Sequence, residues 1–220
     1  DKRSSRATGR PLYIWGPRMR VACYVDGFNL YHAVDALGDA RLKWLDLRSL
    51  AESYLAPDDV LVRTVFFTAF NTWEHAKRQR HVNYVKALGA TGVEVVLSRF
   101  DKVHKHCFTH ERFCKLREEK QTDVAIAIEV MSDCYERGIE RVLLITADSD
   151  QVPMVRRIRD RFPETIIFMI APPKRLNAAR ELGQACSGVA ELTAGRLRQH
   201  ALPDELRDGR GHLIAARPAI

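Results

Sequence analysis

The chain has 220 residues, 46% of them hydrophobic and 29% charged, which describes an ordinary globular protein long enough for one well-filled core. No apolar run approaches the ~18 residues needed to cross a membrane, and the basic first stretch has no apolar segment of the kind a signal peptide needs. The formal net charge is +7, but residues 1–20 carry six basic groups against Asp1 alone, so the remaining body is nearly neutral and the high pI is weak evidence for nucleic-acid binding.

Residues 1–18 are set aside as a basic tail, native or not, with Met19 a candidate start. Residues 19–200 read as one domain and 201–220 as a C-terminal tail lying on the surface. Five scattered cysteines, an odd number in a chain too large to need staples, suggest a reducing cytoplasm.

Residues 20–26 read as a first strand, apolar and β-branched, ended by Asp26-Gly27. A short helix follows over 29–37, stopped by Gly38. Asp46 suits the N-cap of a second helix whose apolar face is Leu47, Leu50, Ala51, Tyr54 and Leu55. Residues 60–70, rich in Val, Phe and Thr, form a second strand. Residues 72–88 are helical and basic, and 93–100 are a third strand. Residues 101–118 are polar and unpatterned and read as a long excursion, which in a compact domain is usually functional or mobile. A helix over 121–135 has apolar residues around much of its circumference and is expected to be well buried. Residues 141–147 are the fourth strand. Next come a helix over 151–162 with Pro153 in its first turn, a fifth strand over 165–170, a helix over 176–185 and a short sixth strand over 189–192. Strands that are continuous apolar runs, alternating with helices, indicate an α/β protein: a mainly parallel sheet with helices on both faces.

Four acids occupy special places in this pattern. Asp26, Asp148 and Asp150 follow strand ends, where a parallel sheet opens its crevice, and Asp123 starts a helix. Each alone has an ordinary explanation, as a turn residue or as an acid favoured by the helix dipole. Four carboxylates converging without a cation would oppose one another's ionisation. A divalent cation such as Mg²⁺ or Mn²⁺ offsets that repulsion, prefers oxygen ligands, and suits chemistry on phosphate. Asn29 is placed to orient water or a scissile phosphate, Thr146 and Ser149 to position nearby waters, and Lys120 to neutralise phosphate charge.

Three stretches carry a family resemblance: Tyr24-Val25-Asp26-Gly27-Phe28-Asn29-Leu30-Tyr31, Glu119-Lys120-Gln121-Thr122-Asp123-Val124-Ala125-Ile126-Ala127, and Thr146-Ala147-Asp148-Ser149-Asp150-Gln151-Val152-Pro153. Together they resemble the three motifs of the NYN domain, more narrowly its LabA-like branch, over about residues 20–195. The resemblance implies a three-layer α/β/α sandwich with a PIN-like sheet whose first five strands run in the order 3-2-1-4-5, placing Asp26 beside Asp148. It implies a ribonuclease using Mg²⁺ or Mn²⁺, with Asp26, Asp123, Asp148 and Asp150 as metal-binding and catalytic acids and Asn29 as the polar residue of the first motif. Gln121-Thr122 stands where a small Gly-x pair is often seen.

Other features have competing readings. His104, His106, Cys107, His110 and Cys114 have the residue types of a Zn²⁺ site, but not the paired short motifs such sites usually use. The alternative is a basic loop that contacts RNA phosphate. The helix bearing Lys77, Arg78 and Arg80, and the run Arg156-Arg157-Ile158-Arg159, are further candidate backbone contacts. Phe108, Phe113 and Tyr31 are candidates for stacking on unpaired bases. The leading expectation is an endoribonuclease acting on RNA. A non-catalytic RNA-binding or regulatory module of the same fold is the main alternative, and a phosphatase the weaker one, since its further lysine and paired acids are not evident downstream. Partners beyond RNA, whether a second copy in a homodimer or a regulatory protein, are left open. Access to the site is expected to be restricted by residues 101–118.

Overall fold

A computed structural model describes residues 18–107 and 112–218, without the side chains of 104–116. The basic tail expected over 1–18 lies outside the described residues except for Arg18. Strand β1 (Arg20–Asp26) leads into helix α1 (Gly27–Asp35), and α2 (Leu47–Glu52) precedes β2 (Val60–Ala69). Next come α3 (His75–Ala90), β3 (Glu94–Cys107), β4 (Arg112–Lys120) and α4 (Thr122–Glu136). The order continues with β5 (Arg141–Ile145), α5 (Val152–Arg161), β6 (Ile166–Ala171), α6 (Arg180–Ala185), β7 (Gly188–Glu191) and α7 (Ala194–Gln199). Two short strands, β8 (Glu205–Arg207) and β9 (Leu213–Ala216), close the described chain.

The main sheet runs β4-β3-β2-β1-β5-β6-β7, and only the β3–β4 pair is antiparallel. The expected order of five strands is its centre, extended by β4 at one edge and β7 at the other. The central strands are mostly apolar because both faces are covered, with Arg63, Thr64 and Thr68 of β2 as buried exceptions. Ala22 and Tyr24 of β1 pack with Ile126, Val130, Val155 and Leu182 on the α4–α6 side. Val21, Cys23 and Val25 pack with Leu30, Leu50, Leu88 and Leu197 on the opposite side, which gives the three layers.

Of the stretch 101–118, the described residues 101–107 and 112–118 are not the irregular excursion the sequence suggested: they are strand. β3 pairs with β2 from Glu94 to Ser98, then continues from Arg99 paired with β4 alone, as far as Cys107 opposite Arg112. The arm is roughly 30 Å long at the usual strand rise. It leaves the sheet at the edge where the parallel strands end, and it returns the chain to that edge. Among the described residues the arm pairs with no third strand, and its sequence lacks the alternation that marks a half-buried strand.

α4 also departs from expectation. One face is buried, while Val124, Ile128 and Tyr135 are exposed. The helix is held by a polar anchor beneath it: the buried Asp133 accepts hydrogen bonds from Tyr24 Oη at 2.6 Å, Arg63 Nη1 at 2.8 Å and Arg137 Nε at 2.8 Å. Breaking such a buried cluster by removing one partner costs about 3–5 kcal/mol, so α4 is fixed against β1 and β2. The C-terminal stretch, which offered little pattern, carries β8 and β9; Leu202 and Ala215 pack there on Trp44 and Ala87. Among the described residues no helix is long and apolar enough to cross a membrane.

Candidate metal centre

Three segments meet at the carboxyl edge of the sheet between β1 and β5, where the strand order reverses. Asp26 ends β1 and caps α1, its Oδ1 accepting the Asn29 N–H at 3.0 Å. The turn from strand to helix needs glycine next: a Cβ on Gly27 would lie 2.5 Å from the Phe67 carbonyl oxygen and 2.6 Å from the Phe66 ring. Asp26 Oδ2 accepts the Thr146 hydroxyl at 2.9 Å. The same buried hydroxyl oxygen accepts the Asp148 N–H at 3.1 Å. Asp148 Oδ1 accepts the Asp150 N–H at 2.9 Å and so caps a short 3₁₀ turn, Ser149–Gln151. Asn29 Oδ1 accepts the Ala147 N–H at 3.1 Å. That bond ties α1 to the end of β5, and Asn29 lines the cleft.

The third acid arrives by another route. β4 passes into α4 through one residue, Gln121, at φ 77°. This left-handed conformation favours glycine, yet Gln121 occupies it here. The sharp turn puts Asp123 in the first turn of α4, where the helix N-terminus favours a carboxylate. Gln151 donates to Asp123 Oδ1 at 3.2 Å. One carboxylate oxygen from each of Asp26, Asp123 and Asp148 lies within 4.8 Å of the others. They line an open cleft of about 460 Å³ together with Asn29, Glu119 and Arg175.

The electrostatics follow from burial and crowding. Burial is the main cause that pushes Asp26 up to about 6, and the charges of Asp123 and Asp148 add to it against the bonds from Asn29 and Thr146. Burial and then Asp148 raise Asp123 as well. Glu119 is pushed up to about 7 by burial, although Thr122 donates to its Oε1 at 2.6 Å. Carboxylate oxygens only, clustered and resisting ionisation, are the donor set of a hard divalent cation. The residues present therefore fit such an ion.

The structure brings together three of the expected acids, with Asn29 beside them and Thr146 between two of them. Asp150 and Ser149 are exposed on the 3₁₀ turn; Asp150 lies outside the trio, though its charge still raises Asp123. Lys120 is exposed and pairs with Glu118 at 2.8 Å. Arg78 and Arg80 are exposed on α3. Of the zinc candidates, His104, His106, Cys107 and Cys114 have side chains outside the described set, and His110 lies outside the described residues altogether, as does Phe108. Sequence reasoning assigned no role to Glu119, Gln151 or Arg175. Glu119 and Gln151 stand inside the motif stretches, four residues before Asp123 and one after Asp150. Arg175, beyond Pro172-Pro173, carried no signal.

The sequence model of the NYN domain family matches residues 20–193. Among curated proteins, 6-hydroxy-3-succinoylpyridine 3-monooxygenase HspA of Pseudomonas putida is 22% identical over 182 residues, a match covering 64% of this chain and 56% of that protein. The chain thus spans little more than half the length of this relative. Among solved structures, a protein of unknown function from Vibrio parahaemolyticus matches with a TM-score of 0.56 at 17% identity, covering 84% of this chain and 97% of that one. At that identity the likeness is one of fold.

Proposed function

Because this chain belongs to the NYN domain family, a PIN-like nuclease fold, we propose that it is a metal-dependent endoribonuclease hydrolysing RNA phosphodiester bonds at the carboxylate cluster. The observation that carries this reading is the convergence of Asp26, Asp123 and Asp148, from three separate segments, to within 4.8 Å. The wording of the three motifs supports the LabA-like branch.

Mg²⁺ or Mn²⁺ would be held by Asp26, Asp123 and Asp148, with Asp150 adding negative charge from the adjoining turn. When bound, the ion would withdraw charge from a phosphoryl oxygen and lower the pKa of an attacking water. The chain's own residues do the rest. Asp26 and Asp148 are kept in register by the shared Thr146 hydroxyl. Asn29 offers its amide N–H groups to a phosphate oxygen, and Arg175 offers a guanidinium at the cleft wall. Glu119, whose burial opposes ionisation of its carboxyl, lines the cleft where a general acid or base would act. Lys120 is available for the same polyanion if it exchanges Glu118 for phosphate.

The test is cleavage of a single-stranded RNA and its DNA counterpart in Mn²⁺, Mg²⁺ or EDTA, with Asp148→Asn beside the wild type. Metal-dependent RNA cleavage lost in the variant is the expected result. Cleavage that survives Asp148→Asn would place the activity elsewhere. Absence of cleavage with Mn²⁺ still bound would point to a nuclease awaiting its substrate or partner, and absence of metal binding to an RNA-binding or regulatory module. HspA's name gives that protein a monooxygenase activity; carried to this chain, it would require reductant-dependent oxygen uptake, which the same preparation can be assayed for. An all-carboxylate donor set favours hydrolysis over that reading.

A further inference from the structure

A second pattern begins at the cleft. Phe28 lines it and is 39% exposed. The Phe28 ring meets His32 edge-on at 4.4 Å between centroids, and on its other side meets Phe100 at 5.6 Å. The file continues both ways: His32 to Tyr31 at 5.5 Å, and Phe100 to Trp73 at 5.1 Å. Each end carries a cation over a ring, Lys43, which is also paired with Asp35, above Tyr31 at 5.0 Å and Arg117 above Trp73 at 4.1 Å. Tyr31 is 44% exposed and Trp73 39%. The rings come from α1, β3 and the segment between β2 and α3, so sequence spacing does not show the strip.

Core packing would bury these rings, and scattered surface aromatics would not touch in an unbroken file. Edge-on contacts hold each ring while leaving much of it to solvent. We propose that this strip is a base-stacking subsite that leads a single-stranded RNA into the carboxylate cleft. The proposal rests on the reading of that cleft as a phosphodiester site. Flat π surfaces flanked by cations match a polyanion with unpaired bases, whose faces a duplex would keep stacked within itself. The strip is continuous with the cleft through Phe28. A guanidinium over the exposed indole adds a positive charge that an apolar protein segment would not need.

The experiment is direct binding of fluorescein-labelled 12-mers to Asp148→Asn protein in Mg²⁺, with probe integrity checked on a gel. Asn caps a turn about as well as Asp, so this background keeps the fold. The probes are a single-stranded RNA, an abasic strand with the same phosphates, and an RNA duplex. The base-bearing single strand is expected to bind tightest and to quench tryptophan fluorescence. Trp73→Ala and Tyr31→Ala should each weaken its binding by at least about fivefold and leave the abasic strand within about twofold. Trp73→Phe should keep the affinity and lose the quenching. Equal binding of base-bearing and abasic strands, or undiminished affinity in the alanine variants, overturns the proposal. So does a dimer that Trp73→Ala splits, since a second copy would then cover the strip. The readout needs no turnover: base-dependent binding by a wild type that neither cleaves nor binds Mn²⁺ upholds the strip and sinks the nuclease, and cleavage with silent strip variants does the reverse.

Discussion

Thr146 gives its hydroxyl proton to Asp26 across 2.9 Å, joining the residue just beyond β5 to the last residue of β1. The oxygen of that hydroxyl also receives the Asp148 N–H at 3.1 Å. One buried group thereby sets the separation of two of the three clustered acids. Thr146→Val keeps the shape and removes both bonds. We expect its Mn²⁺ affinity to fall by about tenfold or more, the usual effect of losing a group that orients a metal ligand, while Thr146→Ser stays near the wild type. Titration calorimetry decides it; an unweakened valine variant would show that the hydroxyl does not hold the acids.

The raised carboxyls make metal-free stability fall with rising pH. A group whose folded pKa is raised contributes stability that is full below the unfolded value, about 4, and is lost as pH passes the folded value. Asp26 at about 6 and Glu119 at about 7 place that loss between about pH 4 and 7. For Asp26, which is almost fully buried, the loss is about 3 kcal/mol. The melting temperature in EDTA should therefore be higher at pH 5.5 than at pH 8, and Mn²⁺ should restore more at pH 8. Asp26→Asn should flatten the EDTA profile. A metal-free protein that gains stability from pH 5.5 to 8 would contradict this electrostatic account.

Gln121 holds φ 77° at the one-residue link between β4 and α4. Gln121→Gly should stabilise the fold by about 0.5–1 kcal/mol, because relief of the left-handed conformation outweighs the added freedom of the unfolded chain. A urea midpoint measures it. Metal affinity should stay within about twofold.

Gly27→Ala should do the opposite. The added Cβ meets the Phe67 carbonyl oxygen at 2.5 Å, and backbone cannot rotate away as a side chain would. A loss of about 1–3 kcal/mol is expected, together with weaker Mn²⁺ binding, since Asp26 and Asn29 flank the displaced turn. An alanine variant with normal midpoint and metal affinity would show that α1 shifts freely.

The centre of the fold could be read from the sequence because its strands are buried on both faces. The runs ending at Asp26 and before Asp148 could be little else, and three motif stretches named the acids that do converge. What escaped was set by tertiary context. Residues 101–107 and 112–118 pair with each other beyond the sheet, and no alternation of apolar residues announces them. Val124 and Ile128 make α4 look buried all round, yet they stay exposed. Glu119 was visible as a residue, but its burial depends on the return of β4 to the cleft. The aromatic strip joins positions 28, 31, 32, 73 and 100, a contact no local pattern encodes.

The β3–β4 arm joins the sheet at a defined root, Arg99 opposite Lys120, and beyond that root each strand has only the other for a neighbour. Residues added or removed in matched numbers on both strands would change the reach of the arm while Lys120, Gln121 and Asp123 keep their places. An unmatched single residue would instead throw the pairing out of step and twist the start of α4. The pairing thus uncouples reach from chemistry: paired insertions would lengthen the arm and change what it touches while the acid cluster at its base stayed fixed.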